Sequence, residues 1–195
     1  MRALPAFAVL LTVVLSGCNG QSVESNGGDD QSSGTEAVAL ELVKSDVAKA
    51  YPFHRYGADL YLAGLPSEAD FRSMAEAGVR TICDLCDVGE RGRNDPEPDL
   101  VRELGMEFLH CPMGGDTGHG DPIFDEGRRI LREAERPLVM HCQSSNRVGA
   151  VFLTWCILDE GIDQDTALDL ARRSGLSSSF LEGRALEYVA AHRGD

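Results

Sequence analysis

Positive charge is scarce in this chain: Lys and Arg together number 18 against 32 Asp and Glu, for a formal net charge of −14. A surface this acidic argues against nucleic acid as a partner and against direct docking on anionic lipid headgroups. The N-terminal apolar run, Ala3 to Leu15, covers only thirteen positions and is broken by Pro5 and Thr12. That is too short for a comfortable membrane span. No internal repeat is visible. The pair Cys83-x-x-Cys86 has no second pair to complete a zinc or redox motif, so neither a metal nor a cofactor is expected.

What the N terminus does have is the pattern of a secretory signal, with one charge, Arg2, before the apolar run. The run ends in Leu15-Ser16-Gly17-Cys18, which resembles the lipobox of bacterial lipoproteins. That resemblance implies a signal peptide over 1–17, lipidation of Cys18, and a flexible linker from Cys18 to residue 37. Asn19 to Glu36 holds one apolar residue, Val23, and cannot bury enough surface to offset the ordering of its backbone. As a tether it reaches about 20–25 Å root-mean-square. Residues 38–195 then form one domain held at a membrane of the cell envelope, in the periplasm or extracytoplasmic space, and expected to be a monomer.

Within that domain strand-like and helix-like segments alternate. Leu60 to Ala63 reads as a strand, and Ser67 caps a helix carrying Phe71 and Met74 that Gly78 closes. Val79 to Leu85 alternates as a strand, and a short helix with Leu100, Val101 and Leu104 stops at Gly105. Met106 to Cys111 is the next strand. Gly114 to Gly120 is a glycine-rich loop, and Asp121-Pro122 opens a helix with Asp121 at the cap. Leu138-Val139-Met140 is a wholly apolar strand, as at the centre of a parallel sheet. Val148 to Leu158 is apolar almost all round and reads as a buried helix. Asp163 caps the next helix, and Ser179-x-x-Glu182 forms a capping box for the last. The pattern predicts a single α/β domain with a mostly parallel sheet of about four strands flanked by helices. Cys83, Cys111 and Cys156 sit in apolar patterns as small hydrophobes. A disulfide among these and Cys86 stays open for an exported protein.

The segment from His141 to Gly149 carries the chemistry. A cysteine, Cys142, leaves a buried strand and enters a tight loop, and Arg147 stands at the start of the following helix. A helix N terminus offers unpaired N–H groups and the positive end of its dipole, which together make an anion site. The same field favours a thiolate. The planar fork of Arg147 matches two oxygens of a tetrahedral anion. The cradle comprises Gln143, Ser144, Ser145, Asn146 and Arg147. His141 reads as a structural residue that hydrogen-bonds to hold the loop.

With Tyr61 to Ser67 and Ala77 to Leu85, this segment resembles the protein tyrosine phosphatase superfamily. It is closest to the dual-specificity-like bacterial subgroup named after beta-lactamase hydrolase-like proteins. The resemblance runs from about Phe53 to Leu176. It implies a phosphomonoester substrate, with Cys142 as nucleophile through a cysteinyl-phosphate and Arg147 stabilising the equatorial oxygens. It further implies a carboxylic acid that protonates the leaving oxygen. Asp116 in the glycine-rich loop is the first candidate, Asp121 the second and Asp87 the third. The sequence departs from the superfamily in three ways. Four residues, not five, separate Cys142 from Arg147; Ser145 stands where the subgroup has glycine; and Val148 replaces the usual serine or threonine. A Cys-x4-Arg loop also resembles that of rhodanese-like sulfurtransferases, which is the first alternative. A phosphate-binding module with little catalysis is the second.

Overall fold

A computed structural model describes residues 41–42, 48–91 and 95–194, apart from the side chains of residues 41, 42, 91 and 116. The expected signal peptide, Cys18 and the linker lie outside the described residues. In chain order, β1 (Glu41–Leu42), β2 (Phe53–Tyr56) and β3 (Leu60–Ala63) lead into α1 (Glu68–Glu76) and β4 (Thr81–Asp84). A single turn, α2 (Val88–Arg91), then α3 (Glu97–Glu103) and β5 (Glu107–His110) follow. After a 3-10 turn, Gly115–Thr117, come α4 (Asp121–Glu133), β6 (Leu138–His141), α5 (Asn146–Leu158), α6 (Gln164–Ser174) and α7 (Ser179–His192).

The six strands form one sheet in the order β1-β2-β3-β6-β4-β5. The inner four, β3-β6-β4-β5, run parallel and are the strands expected from the sequence, while β2 and β1 add antiparallel at one edge. Those two extend the count beyond the expected four. Phe53-His54-Arg55-Tyr56 sets two polar residues side by side, so neither a period of two nor an apolar run marks β2. Its pairing comes from a hairpin turn in which Gly57 takes φ 63°.

Strand residues alternate cleanly between two cores, as the pleat requires. Leu60, Leu62, Cys83, Leu138 and Met140 face a large cluster built with α4 to α7. Ala63, Ile82 and Val139 face a smaller one built with Phe71 and Met74 of α1 and Val101 of α3. At the centre β6 is buried at all four positions. Helix α5 is buried from Val148 to Cys156, as its apolar circumference predicts. It accepts neighbours at close range. A Cβ on Gly127 of α4 would come within 2.5 Å of a Val151 methyl, and one on Gly149 within 2.8 Å of Leu176 Cβ.

Helix starts follow the sequence with two shifts. Ser67 and Asp70 form the reciprocal capping box of α1, and Asp163 caps α6 through Thr166 N–H. Asp121 does not cap α4: the cap is Gly120, and Asp121 is the first helical residue with its carboxylate 3.6 Å from Arg184. At α7 the hydroxyl that accepts from Leu181 N–H belongs to Ser178, one residue earlier than expected, and Glu182 pairs with Arg172 instead of closing a box. In both cases a nearby arginine holds the carboxylate that the local motif assigns to the cap.

Candidate active site

The Cys142–Arg147 loop joins the C-terminal end of the central strand β6 to the N terminus of α5. Neighbouring strands fix its course. Cys142 N–H donates to Ala63 O (3.3 Å), Leu65 N–H donates to Gln143 O (3.3 Å), and Gly64 bridges Ser144. Gly64 is pinned in turn, because a Cβ there would strike the carbonyl of Tyr51 at 2.2 Å. Cys142 is 1 % exposed and lies at the floor of the loop.

Ser145 turns the chain into the helix with φ 64°, making it the one described non-glycine residue with positive φ. The left-handed region costs a residue with a Cβ about 1–2 kcal/mol. Its side chain is fully buried, its hydroxyl has no partner, and its Cβ lies 2.7 Å from where Gly175 would carry one. Glycine at 175 therefore makes room for serine at 145. Asn146 is committed elsewhere. Its Oδ1 accepts from Ser177 N–H (2.7 Å) and Ser178 N–H (2.8 Å), lashing the loop to the connection between α6 and α7. Gln143 and Ser144 are exposed.

Arg147 is held from three elements. Its Nη1 donates to Met113 O (2.9 Å), Leu85 O (3.3 Å) and Glu90 Oε2 (2.5 Å), and its Nη2 donates to Glu90 Oε1 (3.0 Å). Burial works against its charge. The Glu90 carboxylate and the electrostatic pull of Cys142 outweigh that cost and hold the guanidinium charged. Glu90 was not visible as a site residue in the sequence, because it lies in a polar stretch whose only signal is its acidity. Its role comes from the turn of α2, which brings it against a residue 57 positions later.

A cavity of about 400 Å³ opens above Arg147, lined by Asp87, Glu90, Met113, Gly114, Gly115, His119 and Leu181 among others. The glycine-rich loop and the turn after β4 meet at its rim. A Cβ on Gly115 would fall 2.6 Å from an Asp87 carboxylate oxygen, so Asp87 packs directly on that loop. Asp116 lies beside it in the 3-10 turn, with its side chain outside the described residues. Asp121 does not line the cavity and is turned to Arg184. His119, which reads in the sequence as part of a solvated loop, is half-buried at the cavity with Phe180 edge-on at 5.2 Å. Burial, then Arg147 and Arg184, push its pKa below the ordinary imidazole value, which favours the neutral ring.

The other four described thiols lie in the core. Cys83, Cys86, Cys111 and Cys156 are fully or nearly buried, and burial first of all pushes each one's pKa up. All five described cysteines are free thiols, with no disulfide among the described residues. Behind the loop, on the narrower side of the sheet, His141 Nε2 lies 2.7 Å from Glu97 Oε1, and its Nδ1 lies 3.7 Å from Asp84 Oδ1.

This sheet order, with a cysteine-to-arginine loop between the central strand and a buried helix, is the cysteine-phosphatase fold. Solved structures agree. The chain superposes on TpbA of P. aeruginosa with a TM-score of 0.60 at 21 % identity, covering 80 % of this chain and 91 % of that one. A DUF442 protein of Shewanella putrefaciens gives 0.59 at 16 % identity over 74 % and 95 %. The kinase associated phosphatase gives 0.58 at 21 % over 68 % and 88 %. Among curated proteins, the beta-lactamase hydrolase-like protein of Agrobacterium fabrum is 27 % identical over 124 residues, 62 % of this chain. The chain spans 28 % of that relative's length. No protein-family model matches.

Proposed function

We propose that this chain is an exported, membrane-tethered phosphomonoester hydrolase acting through a cysteinyl-phosphate. The observation that carries this reading is the seating of Arg147. Met113, Leu85 and Glu90 fix the guanidinium at the mouth of the loop that begins at Cys142. Two of the fold's neighbours lend support: TpbA has been solved in complex with pTyr, and the kinase associated phosphatase has a catalytic site cysteine.

The reaction runs in two displacements. The Cys142 thiolate attacks phosphorus, the S–P bond forms, and the bond to the leaving oxygen breaks as a carboxylic acid gives that oxygen its proton. Water then attacks phosphorus, the S–P bond breaks, and inorganic phosphate leaves with the thiolate restored. Arg147 and the first N–H groups of α5 meet the charge on the non-bridging oxygens. Asp116 is the proton donor by its position in the 3-10 turn at the cavity rim. Asp87, packed on Gly115, takes second place, and Asp121 falls behind it because Arg184 holds it away. Gln143 to Asn146 contribute through backbone rather than through the side chains of Ser145 and Asn146, which are turned aside.

Aryl-phosphate hydrolysis by the purified chain, compared with Cys142→Ser, tests the nucleophile. Activity should disappear in the variant. Sulfur transfer from thiosulfate to cyanide without phosphate release would reverse the choice in favour of a sulfurtransferase. Asp116→Asn should slow poor leaving groups far more than good ones, and a uniform effect would move the acid role to Asp87. Tethering rests on the lipobox-like Leu15 to Cys18, and fatty-acid labelling lost in Cys18→Ser is its check.

A further inference from the structure

His141 and Cys142 are consecutive, yet their side chains serve opposite faces of the sheet, and a second cluster gathers at His141. Asp84, Cys86 and His141 are each 0–2 % exposed, and their donor atoms all lie within 4.8 Å of one another. His141 Nε2 faces the Glu97 carboxylate at 2.7 Å, so that nitrogen carries the ring proton in the neutral form. The remaining nitrogen, Nδ1, then points its lone pair at Asp84 Oδ1, another electron-pair donor, 3.7 Å away. Nδ1 is buried without a hydrogen-bond partner.

Two electron-pair donors facing each other in a dry site repel, and a positive charge between them would relieve that repulsion. A proton would make His141 an imidazolium, but that bond closes at about 2.7–3.2 Å. Two ligands about 2.0–2.1 Å from a tetrahedral metal stand about 3.3 Å apart, so a metal needs the smaller contraction. Charge is even between the two. A divalent ion with the Asp84 and Glu97 carboxylates, a Cys86 thiolate and neutral His141 leaves one negative charge, as an imidazolium with the two carboxylates and a neutral thiol does, so the metal costs no more buried charge. The second shell is in place as well. Glu97 holds the far side of the ring, the carboxylate–histidine–metal arrangement that orients such ligands, and Cys86 N–H donates to Asp84 Oδ1 at 2.7 Å.

We propose that Asp84, Cys86 and His141 Nδ1 form a binding site for a divalent transition metal, with zinc the best match to a mixed nitrogen, sulfur and oxygen donor set. Binding expels one proton, from the Cys86 thiol, and involves no change of oxidation state. Cys83, the other half of the Cys-x-x-Cys pair, is buried in the large core as Cys86 is, but its thiol is not among the donor atoms that converge.

The test is cobalt titration of the chelator-treated chain, followed by displacement with zinc. One equivalent should produce tetrahedral visible bands and a thiolate-to-cobalt charge-transfer band. Cys142→Ser should keep both, Cys86→Ser should lose the charge-transfer band, and Glu97→Gln should weaken binding by about 10–100-fold. A wild-type spectrum without the charge-transfer band overturns the proposal. A band that survives Cys86→Ser, or vanishes with Cys142→Ser, overturns it equally. Should Cys86→Ser fail to fold, cadmium NMR of the wild-type chain decides. A shift for one sulfur with nitrogen and oxygen supports the site, and an oxygen-only shift or no bound signal sinks it.

Discussion

On the broad face of the sheet, α4 to α7 close over Leu62, Cys83 and Met140 with an apolar core that runs without a break up to Cys142. On the narrow face, α1 and α3 cover Ile82 and Val139, and at the same height along the strands that core gives way to Asp84, Glu97 and His141. One strand end thus presents the Cys142–Arg147 loop to one side and a cluster of electron-pair donors to the other. The cause is the alternation of a β-strand, which sends adjacent side chains to opposite faces. The broad face supplies rigidity behind Cys142. On the narrow face Glu97 holds His141, the residue before the loop, with the Phe71 ring of α1 edge-on to it.

The largest expected effect lies on the seam between the faces, where α2 sends Glu90 to Arg147. Glu90→Ala removes both carboxylate contacts and frees the guanidinium to swing, so kcat/KM for an aryl phosphate should fall about 10–100-fold, the penalty of a misplaced catalytic group. Stability should change little, because Glu90 is a surface residue 40 % exposed in its side chain. A melting temperature lowered in step with activity would instead make Glu90 a structural strut.

Close packing on the broad face can be separated from helix propensity with two glycines. Gly127→Ala places a methyl 2.5 Å from Val151 and should cost about 1–2 kcal/mol net, overpacking outweighing the propensity gain. Gly183 in α7 has nothing within 4 Å of its Cβ direction, so Gly183→Ala should stabilise by up to about 1 kcal/mol. Denaturant midpoints of the pair measure the difference. Equal signs would mean that the α4–α5 contact yields more readily than its geometry implies.

The narrow face should answer to pH. Asp70 is 5 % exposed. Burial would raise its pKa, but the N–H groups of Lys49, Ser67 and Ala50 and the Ser67 hydroxyl outweigh that and hold it below the ordinary carboxylate value. A depressed folded pKa contributes stability above the unfolded value of about 3.9, and that stability is lost as pH falls through the lower, folded value. Asp70→Ala should cost about 1 kcal/mol at neutral pH, and the deficit should shrink on acidification. A deficit independent of pH would assign Asp70 a packing role only.

Much of this was legible in the chain itself. The order of strands and helices, the parallel core and the place of the Cys142–Arg147 loop follow from local signals: apolar runs at β6 and α5, glycine stops at Gly78, Gly105 and Gly175, and caps at Ser67 and Asp163. The strain at Ser145 was anticipated through the family resemblance alone, from a serine standing where the subgroup has glycine. The local signals depend on periodicity and on residues within a few positions of one another, which is what a sequence records directly. Only the tertiary structure decided the rest. Glu90 on Arg147, Glu97 on His141, Asp87 against Gly115 and Arg184 drawing Asp121 from its cap all join residues distant in sequence. A carboxylate carries the same letter whether it faces water, a guanidinium or an imidazole. Its partner is set by which strands the sheet places side by side, and β6, late in the chain, enters between β3 and β4.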